Sequence, residues 1–371
     1  PYERPPLSKG YLLGSSEREE IFVHPQEWYA AHDVDLRSGT TVAAIDRSGH
    51  AVSTDDGTEV RYDKLLLTTG SSPRELRVPG AGTSGVRYLR TVGDSERLKA
   101  AFQEGARVVI VGAGWIGLEV AAAARSAGAE VTVLEMLELP LVGVLGAECA
   151  RLFADLHRRH GVDLRVGVRV AEITGAGGAA SGVRLESGDE LPADLVIAGV
   201  GAIPNTELAE RAGLQVDNGI LVDERLRTAD PAIWAAGDVA RAHHPLLGKA
   251  IRVEHWDNAI EQGTAAARSM LGQEAPYDRI PYFYTDQYDL GMEYAGYVER
   301  GGYDRVVFRG QPDTLEFVAF WLSGDRVLAG MNVNVWDVND DIKALVRAGS
   351  PVDAEKLANA EVPLGDLVKA V

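Results

Sequence analysis

The sequence predicts an α/β protein built from two doubly wound domains, followed by a smaller α+β domain. One observation is a strand at residues 108–111, a glycine-rich turn, an alanine-rich helix and a second strand at 131–135, which is the order of elements in a βαβ unit. A second is that apolar strands at 64–68 and 194–198 also run into glycine-containing turns, as strands of doubly wound sheets do. A third is the change after residue 280 to alternating strands rich in valine and aromatic residues.

The order of these segments divides the chain into three predicted domains. Residues 1–91 and 222–276 form one split Rossmann-like domain, and residues 92–221 form a second Rossmann-like domain inserted into it. Residues 277–371 form the C-terminal α+β domain.

The other elements follow from local patterns. Residues 1–10 contain paired prolines and no alternation, so we expect an ordered loop. Short strands are predicted at 34–36, 42–45, 51–54, 59–62, 164–166 and 233–235, with a hairpin near 175–182. Helical periodicity is present at 147–157, 256–270 and 340–348.

The glycine-rich turn carries the most specific signal in the chain. Gly112 permits a tight turn, Gly114 allows the backbone to approach a pyrophosphate, and Gly117 allows the helix to pack on the strand. Trp115 and Ile116 stand at the helix start, where free N–H groups and the helix dipole favour phosphates. The sequence therefore predicts that these five residues bind a dinucleotide.

Glu135 ends the second strand of this βαβ unit, about 20 residues beyond the glycines, where a carboxylate can accept hydrogen bonds from a ribose diol. A 2′-phosphate beside Glu135 would place like charges together in a partly desolvated site, which costs several kcal/mol. We therefore expect NADH to be preferred over NADPH.

The composition is that of a globular enzyme. The 371 residues are 46% hydrophobic and 25% charged, as in ordinary soluble proteins. The net charge of −18 argues against nucleic-acid binding, which needs a basic surface, and no apolar run approaches the length of a membrane span. No cluster of histidine, cysteine and acidic residues has metal-ligand spacing, so no metal site is predicted.

A single cysteine, Cys149, excludes an internal disulfide and indicates a reducing compartment, so we expect a cytoplasmic protein. It lies within the helical pattern at 147–157, which favours a buried structural thiol over a nucleophile.

Two groups at opposite ends of the first predicted domain carry weaker signals. Asp238, next to Gly237, follows an apolar strand and precedes a helix, so it could hold a sugar or ribityl hydroxyl or could cap a helix. Arg4, Pro6 and Lys9 combine a stiff proline wall with cations that could lie beside an electron-rich ring; a solvated turn explains them equally well.

Two helix starts are also candidates. Glu119 lies in the first turns of the glycine-motif helix, where the dipole stabilises an anion, or it could simply face solvent. Glu254, His255 and Trp256 precede another helix, whose N–H groups could receive a carbonyl with Trp256 as a flat lid; His255 could instead be a structural hydrogen-bonder.

Together these segments resemble the FAD-dependent, NADH-linked ferredoxin reductases of bacterial Rieske oxygenase and cytochrome monooxygenase systems, in the pyridine nucleotide-disulfide oxidoreductase superfamily. The resemblance covers essentially the whole chain. The matching motifs are Arg-Pro-Pro-Leu-Ser-Lys (4–9), Thr-Thr-Gly-Ser-Ser-Pro-Arg (68–74), Gly-Ala-Gly-Trp-Ile-Gly-Leu-Glu (112–119), Gly-Val-Gly-Ala-Ile-Pro-Asn (199–205), Ala-Ala-Gly-Asp (235–238), Glu-His-Trp-Asp-Asn-Ala (254–259) and Pro-Tyr-Phe-Tyr-Thr-Asp-Gln-Tyr (281–288).

The resemblance implies a role for each candidate. Lys9 would lie near flavin N5, paired with Glu119, and these two would be the catalytic residues. Pro6 would line the flavin ring, Arg4 would help to hold the cofactor, and Asp238 would hold the ribityl chain.

The remaining motif positions would line the cofactors. Trp256 would face the pyrimidine end of the flavin, with Tyr284 nearby, where many relatives carry tryptophan. Further cofactor contacts are implied at Thr69, Gly70, Arg74, Gly199, Val200, Gly201, Gly237, Glu254 and His255.

The resemblance also implies the reaction. NADH would pass a hydride to FAD, and the flavin would pass single electrons to a ferredoxin-type iron–sulfur protein. Residues 1–91 and 222–276 would bind FAD, residues 92–221 would bind NAD, and residues 277–371 would form an interface or dimerisation-type domain, so a homodimer is possible. No nucleic acid and no membrane is expected as a partner.

One departure from the family pattern leaves alternatives open. Family members begin with an FAD-binding βαβ unit, and this sequence starts just after the place where that unit should end. We expect an incompletely represented polypeptide. The alternatives are an NADH-binding, flavin-poor sensor or scaffold, and a peroxide- or disulfide-reducing flavoenzyme, which would need a redox cysteine where Leu7-Ser8-Lys9 stands.

Overall fold

The computed structural model describes residues 1–273 and 276–369. The helices are α1 (Gly10–Leu13), α2 (Gln26–Ala31), α3 (Val92–Ala101), α4 (Trp115–Ser126), α5 (Val142–Arg159), α6 (Glu207–Arg211), α7 (Trp256–Met270), α8 (Asn339–Ala348), α9 (Ala354–Ala358) and α10 (Leu364–Lys369). Short 3-10 turns occupy Pro5–Ser8, Arg18–Ile21, Gly237–Val239 and Pro312–Thr314.

The described residues also form β-strands. They are β1 (Val42–Asp46), β2 (Ala51–Thr54), β3 (Glu59–Arg61), β4 (Leu65–Leu67), β5 (Ser71–Pro73), β6 (Val86–Arg87), β7 (Arg107–Val111), β8 (Glu130–Glu135), β9 (Asp163–Val166), β10 (Val170–Ala176), β11 (Ala179–Leu185), β12 (Glu190–Pro192), β13 (Leu195–Ala198), β14 (Ala202–Pro204), β15 (Ile220–Val222), β16 (Ile233–Ala235), β17 (Ala240–His244), β18 (Lys249–Ile251), β19 (Tyr282–Gln287), β20 (Leu290–Gly296), β21 (Arg305–Gln311), β22 (Glu316–Ser323) and β23 (Arg326–Val333).

The chain folds into two compact units. Unit 1 consists of Pro1–Glu3, Phe22–Ser72 and Ala202–Pro281, and unit 2 consists of Arg4–Ile21, Pro73–Gly201 and Tyr282–Val371. Compared with the three predicted domains, residues 4–21, 73–91 and the C-terminal segment belong to the same unit as residues 92–201, whereas residues 202–221 belong to unit 1.

Unit 2 contains the predicted βαβ unit within a parallel sheet of five strands, in the order β6-β13-β7-β8-β9. Strand β7 pairs with β8 from Arg107↔Glu130 to Val111↔Leu134, and α4 connects the two. The apolar run of β7 is buried, as expected for a central parallel strand covered on both faces. The predicted α/β nucleotide-binding fold is therefore confirmed.

The C-terminal segment of unit 2 forms an antiparallel sheet in the order β19-β20-β23-β22-β21. The first turn of α8 begins near this sheet, and its side chains Ile342 and Leu345 are almost fully buried. The predicted change to alternating strands followed by an amphipathic helix is confirmed.

One hydrophobic core runs through unit 2. It includes Leu118 of α4, Phe153 of α5, Met292 of β20 and Trp321 of β22. Because these side chains exclude water from one another, the nucleotide-binding segment and the C-terminal sheet form one compact body. This shared core is why no unit boundary falls between them.

The loop predicted over residues 1–10 is wrong for its second half. A 3-10 turn spans Pro5–Ser8 and α1 begins at Gly10, because the fixed φ of proline suits the first position of a helical turn. Leu7 and Leu12 are buried, and the hydroxyl of Ser95 on α3 donates to the carbonyl of Leu7 at 2.8 Å. Packing against α3 therefore holds this segment in unit 2.

Unit 1 contains several small sheets: antiparallel β1-β2-β3, a parallel pair of β4 and β16, and β15-β17-β18. The pairing of Leu65↔Ile233 through Leu67↔Ala235 places two predicted apolar strands side by side. Trp234 packs with Ala266 of α7 in the core of this unit.

The strand predicted at residues 34–36 is wrong. Val34 and Leu36 are 44% and 39% exposed, and the preceding Asp33 has a φ of 56°, which turns the chain after α2. With no buried face to favour extension, the alternating pattern alone does not produce a strand here.

Candidate functional site

The turn after β7 is shaped as a phosphate cradle. Gly112 has a φ of 103°, and a Cβ there would lie 2.4 Å from the carbonyl oxygen of Gly199. A Cβ on Gly117 would lie 2.1 Å from the carbonyl oxygen of Gly112. At Gly114, in contrast, no heavy atom lies within 4 Å of the Cβ position. Close packing therefore requires glycine at positions 112 and 117, whereas Gly114 leaves space for a ligand.

Helix α4 begins directly after this turn, with Gly114 as its N-cap residue and no side-chain cap. Its first N–H groups are therefore available to an anion. The side chain of Ile116 is 45% exposed, whereas the Trp115 ring packs 5.1 Å from Phe283 and 5.5 Å from Phe153. The open glycine and the uncapped helix start fit a dinucleotide pyrophosphate.

A second glycine turn lies beside the first. A Cβ on Gly199 would lie 3.4 Å from the Cα of Gly117, so the ends of β13 and β7 approach closely. Gly201 has a φ of 99°, and its carbonyl accepts a hydrogen bond of 2.8 Å from the backbone N–H of Arg74. The half-buried Val200 lies between the two glycines.

Glu135, the last residue of β8, is tied to the same turn. Its carboxylate accepts hydrogen bonds of 2.8 Å from the backbone N–H groups of Ala113 and Leu137. A carboxylate has about four lone-pair sites, so two remain for hydroxyl donors such as those of a ribose.

Lys9 and Glu119 form a buried ion pair. Lys9 Nζ lies 2.7 Å from Glu119 Oε1, and the two side chains are only 14% and 3% exposed. Glu119 is thus not the solvent-facing residue that one interpretation of the sequence allowed. Because a charge is costly to bury alone, each residue requires the other in this position.

Two hydroxyl groups complete the surroundings of this carboxylate. Ser8 Oγ donates to Glu119 Oε2 at 2.5 Å, and Thr285 Oγ1 donates to Glu119 Oε1 at 2.6 Å. Lys9 Nζ also lies 5.2 Å from the centroid of the Tyr284 ring, a cation–π distance. Three donors, including Lys9 Nζ, therefore hold the Glu119 carboxylate.

A further acid lies close by. Burial raises the pKa of the Asp286 carboxyl, an effect that the Lys9 ammonium opposes and the Glu119 carboxylate reinforces. The cluster thus combines one cation and two acids on neighbouring elements.

The opening residues are ordered around the same segment. Arg4 Nη1 donates to the carbonyl of Arg90 at 2.5 Å, and Pro6 lies in the 3-10 turn that leads to Lys9. Arg4 is exposed and Pro6 is half-buried, and the cofactor contacts predicted for both stay a prediction.

In unit 1, Asp238 lies in a 3-10 turn at the end of β16. Ser71 Oγ donates to its carboxylate at 2.8 Å. The preceding Gly237 has a φ of 78° and donates its N–H to Gln262 Oε1 at 2.9 Å. The carboxylate does not cap α7, whose N-cap residue is His255, so the helix-cap interpretation is wrong.

Thr69 and Gly70 are held together by Asn205. Thr69 Oγ1 donates to the carbonyl of Asn205 at 2.7 Å, and Asn205 Nδ2 donates to the carbonyl of Thr69 at 2.8 Å. The N–H of Asn205 donates to the carbonyl of Gly70 at 2.9 Å. The two predicted motifs at 68–74 and 199–205 thus meet within unit 1.

The start of α7 is built by His255. Its Nδ1 accepts the N–H of Asp257 at 3.2 Å, so the structural interpretation of this histidine is supported. Trp256 is the first residue of the helix, and Glu254 forms an ion pair of 2.5 Å with Arg252. The predicted cofactor contacts of these residues remain predictions.

The predicted site residues fall in both units. Unit 2 contains Arg4, Pro6, Lys9, Arg74, Gly112, Gly114, Trp115, Ile116, Gly117, Glu119, Glu135, Gly199, Val200, Gly201 and Tyr284. Unit 1 contains Thr69, Gly70, Gly237, Asp238, Glu254, His255 and Trp256.

Sequence reasoning missed the polar residues that support these groups, namely Ser8, Ser71, Gln262 and Thr285. Three of them stand inside the motifs used for the resemblance.

Cys149 is buried on α5, and burial raises the pKa of its thiol, which confirms the expectation of a structural thiol. Among residues 1–273 and 276–369, no group of three metal-ligating side chains is close enough to hold an ion. In the same two ranges, no helix has the length and apolar character needed to cross a bilayer.

Comparison with known families places these features in context. Residues 1–263 match the model of a family described as "Pyridine nucleotide-disulphide oxidoreductase". Residues 282–368 match the model of a family described as "Reductase C-terminal". The chain belongs to the pyridine nucleotide-disulphide oxidoreductase family. As a member of this family it is an oxidoreductase that uses FAD and NAD(H).

Curated members of the family resemble the chain over nearly its whole length. Putidaredoxin reductase CamA of Pseudomonas putida is 40% identical and aligns over 100% of this chain and 88% of its own. The ferredoxin–NAD(+) reductase component of the anthranilate 1,2-dioxygenase system of Burkholderia cepacia is 41% identical, with coverages of 98% and 89%.

Solved structures of similar proteins share the fold. A crystal structure of the covalent putidaredoxin reductase–putidaredoxin complex matches with a TM-score of 0.95 and 40% identity, over 100% of this chain and 89% of the other. An NAD-dependent persulfide reductase from A. fulgidus matches with a TM-score of 0.86 and 26% identity, over 100% and 76%.

Proposed function

We propose that this family member is an NADH-dependent ferredoxin reductase, which takes a hydride from NADH and delivers electrons singly to a ferredoxin-type iron–sulfur protein. The observation that carries this proposal is the buried Lys9–Glu119 ion pair. Glu119 lies in the first turns of α4, the helix that follows the nucleotide-binding turn. The names of the similar reductases support the choice of NAD and a ferredoxin as partners.

The NADH half of the site consists of chain elements that are already in place. The open backbone at Gly114 and the uncapped start of α4 would receive the pyrophosphate. The Glu135 carboxylate would accept the ribose hydroxyls with its remaining lone pairs. A 2′-phosphate would meet this carboxylate as a like charge, so NADH is preferred over NADPH.

The donor set also fits FAD, which accepts two electrons as a hydride and releases them one at a time. In unit 1, the Asp238 carboxylate, held by Ser71, would accept hydroxyl donors of the ribityl chain. Trp256 would cover the polar end of the ring at the start of α7. Arg4, Pro6 and Tyr284 would line the cofactor in unit 2.

Lys9 and Glu119 supply the electrostatics. The Lys9 ammonium would place a fixed positive charge beside the bound flavin, and a preorganised charge stabilises developing negative charge without reorganisation. Glu119, with three donors on its carboxylate, holds that ammonium in position. The protein thereby fixes the position of the Lys9 ammonium before the reaction begins.

A thiol-dependent reductase is the second candidate, because a persulfide reductase shares the fold. The chain has one cysteine, which is buried, and burial raises its pKa. A thiol that does not ionise is a poor nucleophile, so this candidate is disfavoured. The single reduced thiol also supports a cytoplasmic location.

The test is an anaerobic titration of the FAD-loaded full-length protein with NADH, followed by visible absorbance. We expect NADH to bleach the flavin band, NADPH to do so only at much higher concentration, and Cys149→Ser to behave like the wild type. Protein that takes up no FAD, or that is not bleached by NADH, contradicts the proposed function.

A further inference from the structure

A chain of buried hydrogen bonds extends from Glu119 into the core of unit 2. Thr285 Oγ1 donates to Glu119 Oε1 at 2.6 Å, and Gln287 Nε2 donates to Thr285 Oγ1 at 3.1 Å. His157 Nε2 lies 2.8 Å from Gln287 Oε1. Each of these four side chains is at most 3% exposed, so water does not compete for these hydrogen bonds.

The chain joins three elements of unit 2. Thr285 and Gln287 are alternate residues of β19 and point to the same buried face, while Asp286 between them points to the opposite face. Glu119 lies on α4 and His157 on α5. The polar face of one strand therefore links the two helices.

Every hydrogen bond of this chain has its donor on the His157 side and its acceptor on the Glu119 side. Paired with Lys9, Glu119 is a carboxylate that accepts but cannot donate, so the Thr285 hydroxyl must give it its proton. Thr285 then accepts from the amide nitrogen of Gln287, which turns the amide oxygen towards His157. His157 must therefore carry its proton on Nε2.

The state of His157 agrees with this direction. Burial lowers its pKa to about 4, so the ring is neutral at pH 7 and holds a single proton. Its Nδ1 has no hydrogen-bond partner among the described residues, which leaves the Nε2 contact with Gln287 to orient the ring.

Aligned hydrogen bonds of this kind reinforce one another. Each donor dipole points towards the Glu119 charge, and in a low-dielectric core such dipoles polarise their neighbours. A glutamine amide is a poor carrier of protons, so the chain fixes the position of the carboxylate rather than relaying a proton to it.

We propose that Thr285, Gln287 and His157 are positioning residues for the Lys9–Glu119 pair, an inference that rests on the reductase function proposed above. Lys9 Nζ lies 2.7 Å from the same carboxylate oxygen that Thr285 holds. A rotation of Glu119 would therefore move the ammonium away from the developing charge and slow hydride transfer.

The test compares Thr285→Val, which removes the hydroxyl but keeps the shape, with Thr285→Ser, which keeps the donor. Thr132→Val on β8 is the matched control. In stopped-flow reduction of the FAD-loaded protein by NADH, we expect Thr285→Val to lower the limiting rate about tenfold, as for one lost hydrogen bond to a charged group. The half-saturating NADH concentration should change less than about twofold. Thr285→Ser should recover most of the rate, and Thr132→Val should match the wild type.

A second readout needs no activity. Ring-nitrogen chemical shifts of the wild-type protein, with the His157 signals assigned by their loss in His157→Gln, should show a protonated Nε2 and an unprotonated Nδ1. The opposite tautomer overturns the proposed direction of the chain, even if Thr285→Val does not fold.

Lys9→Met and Glu119→Gln are measured in the same stopped-flow assay. Their rates distinguish a failure of the positioning role from a failure of the proposed function. If both slow flavin reduction and Thr285→Val does not, the positioning role is overturned and the proposed function stands. An equal loss in Thr132→Val, or no recovery in Thr285→Ser, also overturns the positioning role. If Lys9→Met and Glu119→Gln have no effect, the proposed role of the ion pair itself is wrong.

Discussion

At the scale of single residues, Lys9 and Glu119 form a largely buried ion pair whose carboxylate accepts three hydrogen bonds. Removing one partner of a buried pair leaves the other charge uncompensated, which typically costs about 3–5 kcal/mol of stability. Variants must therefore be chosen so that loss of function can be distinguished from loss of folding.

Lys9→Met keeps the length of the side chain and removes its charge. We expect the rate of flavin reduction by NADH to fall about 10²–10³-fold, the size of effect seen when one preorganised electrostatic group is lost. Stopped-flow absorbance measures this rate. Lys99→Met, at an exposed position on α3, is the control. An unchanged rate in Lys9→Met, with the flavin still bound, would refute the assigned role.

Glu135→Arg should change the choice of nucleotide. The carboxylate of Glu135 repels the 2′-phosphate of NADPH, whereas an arginine would attract it. The ratio of kcat/KM for NADH to kcat/KM for NADPH should therefore fall at least about tenfold. Glu130→Arg, at the exposed other end of β8, should leave the ratio unchanged. Steady-state kinetics with NADH and with NADPH measures this ratio. An unaltered ratio in Glu135→Arg would show that Glu135 does not determine the nucleotide preference.

At the scale of elements, the turn between β7 and α4 separates packing from ligand binding. A Cβ at Gly117 meets the carbonyl oxygen of Gly112, whereas a Cβ at Gly114 meets nothing. The same substitution at two positions three residues apart should therefore have different consequences.

Gly114→Ala should leave the thermal unfolding midpoint within about 2 °C of the wild type, because a change without strain has little effect on stability. It should weaken NADH binding about tenfold or more, because the methyl group occupies the space for the pyrophosphate. Gly117→Ala should lower stability by about 2 kcal/mol or more through overpacking. Calorimetric unfolding and NADH titration of both variants give the comparison. Equal stability losses in the two variants would contradict this account of the turn.

The elements that the sequence predicts well are those with a strong local pattern. Strand β7, helix α4 and strand β8 follow from an apolar run, spaced glycines and a second apolar run. The strand expected at 34–36 does not form because its apolar residues have no buried face. The turn at Pro5–Ser8 is also held by a hydrogen bond from Ser95 on α3 to the carbonyl of Leu7, a contact between distant residues that no local pattern encodes.

The site is less predictable from sequence because its partners are distant in the chain. Lys9 and Glu119 are separated by 110 positions, and Thr285 lies a further 166 positions from Glu119. Only the family resemblance indicated the first pair, and nothing indicated the hydroxyl groups around it. Long-range contacts of this kind are set by the shared core of unit 2.

At the scale of the whole molecule, the burial of His157 in unit 2 makes the stability of the protein depend on pH. Burial lowers the pKa of His157 to about 4, whereas in the unfolded chain it should be about 6.5. Below about pH 6.5 the unfolded chain binds a proton here that the folded protein does not, so stability falls as the pH falls from about 6.5 towards 4.

His157→Gln should remove this component of the pH dependence. We expect the free energy of unfolding of the wild type to fall more steeply between pH 7.5 and pH 5 than that of the variant, as measured by urea titration. His32→Gln, at an exposed position, should retain the wild-type slope. The same slope in the wild type and in His157→Gln would contradict the assignment.

The central claim is that two electrons enter from NADH and leave one at a time to an iron–sulfur partner through a flavin, without a thiol. The most direct measurement is the anaerobic stoichiometry of ferredoxin reduction by the FAD-loaded full-length protein with limiting NADH, followed at the visible bands of a [2Fe–2S] ferredoxin. The account predicts two ferredoxins reduced per NADH, with the same yield in Cys149→Ser. Oxidation of NADH without reduction of ferredoxin, or loss of the reaction in Cys149→Ser, would contradict it.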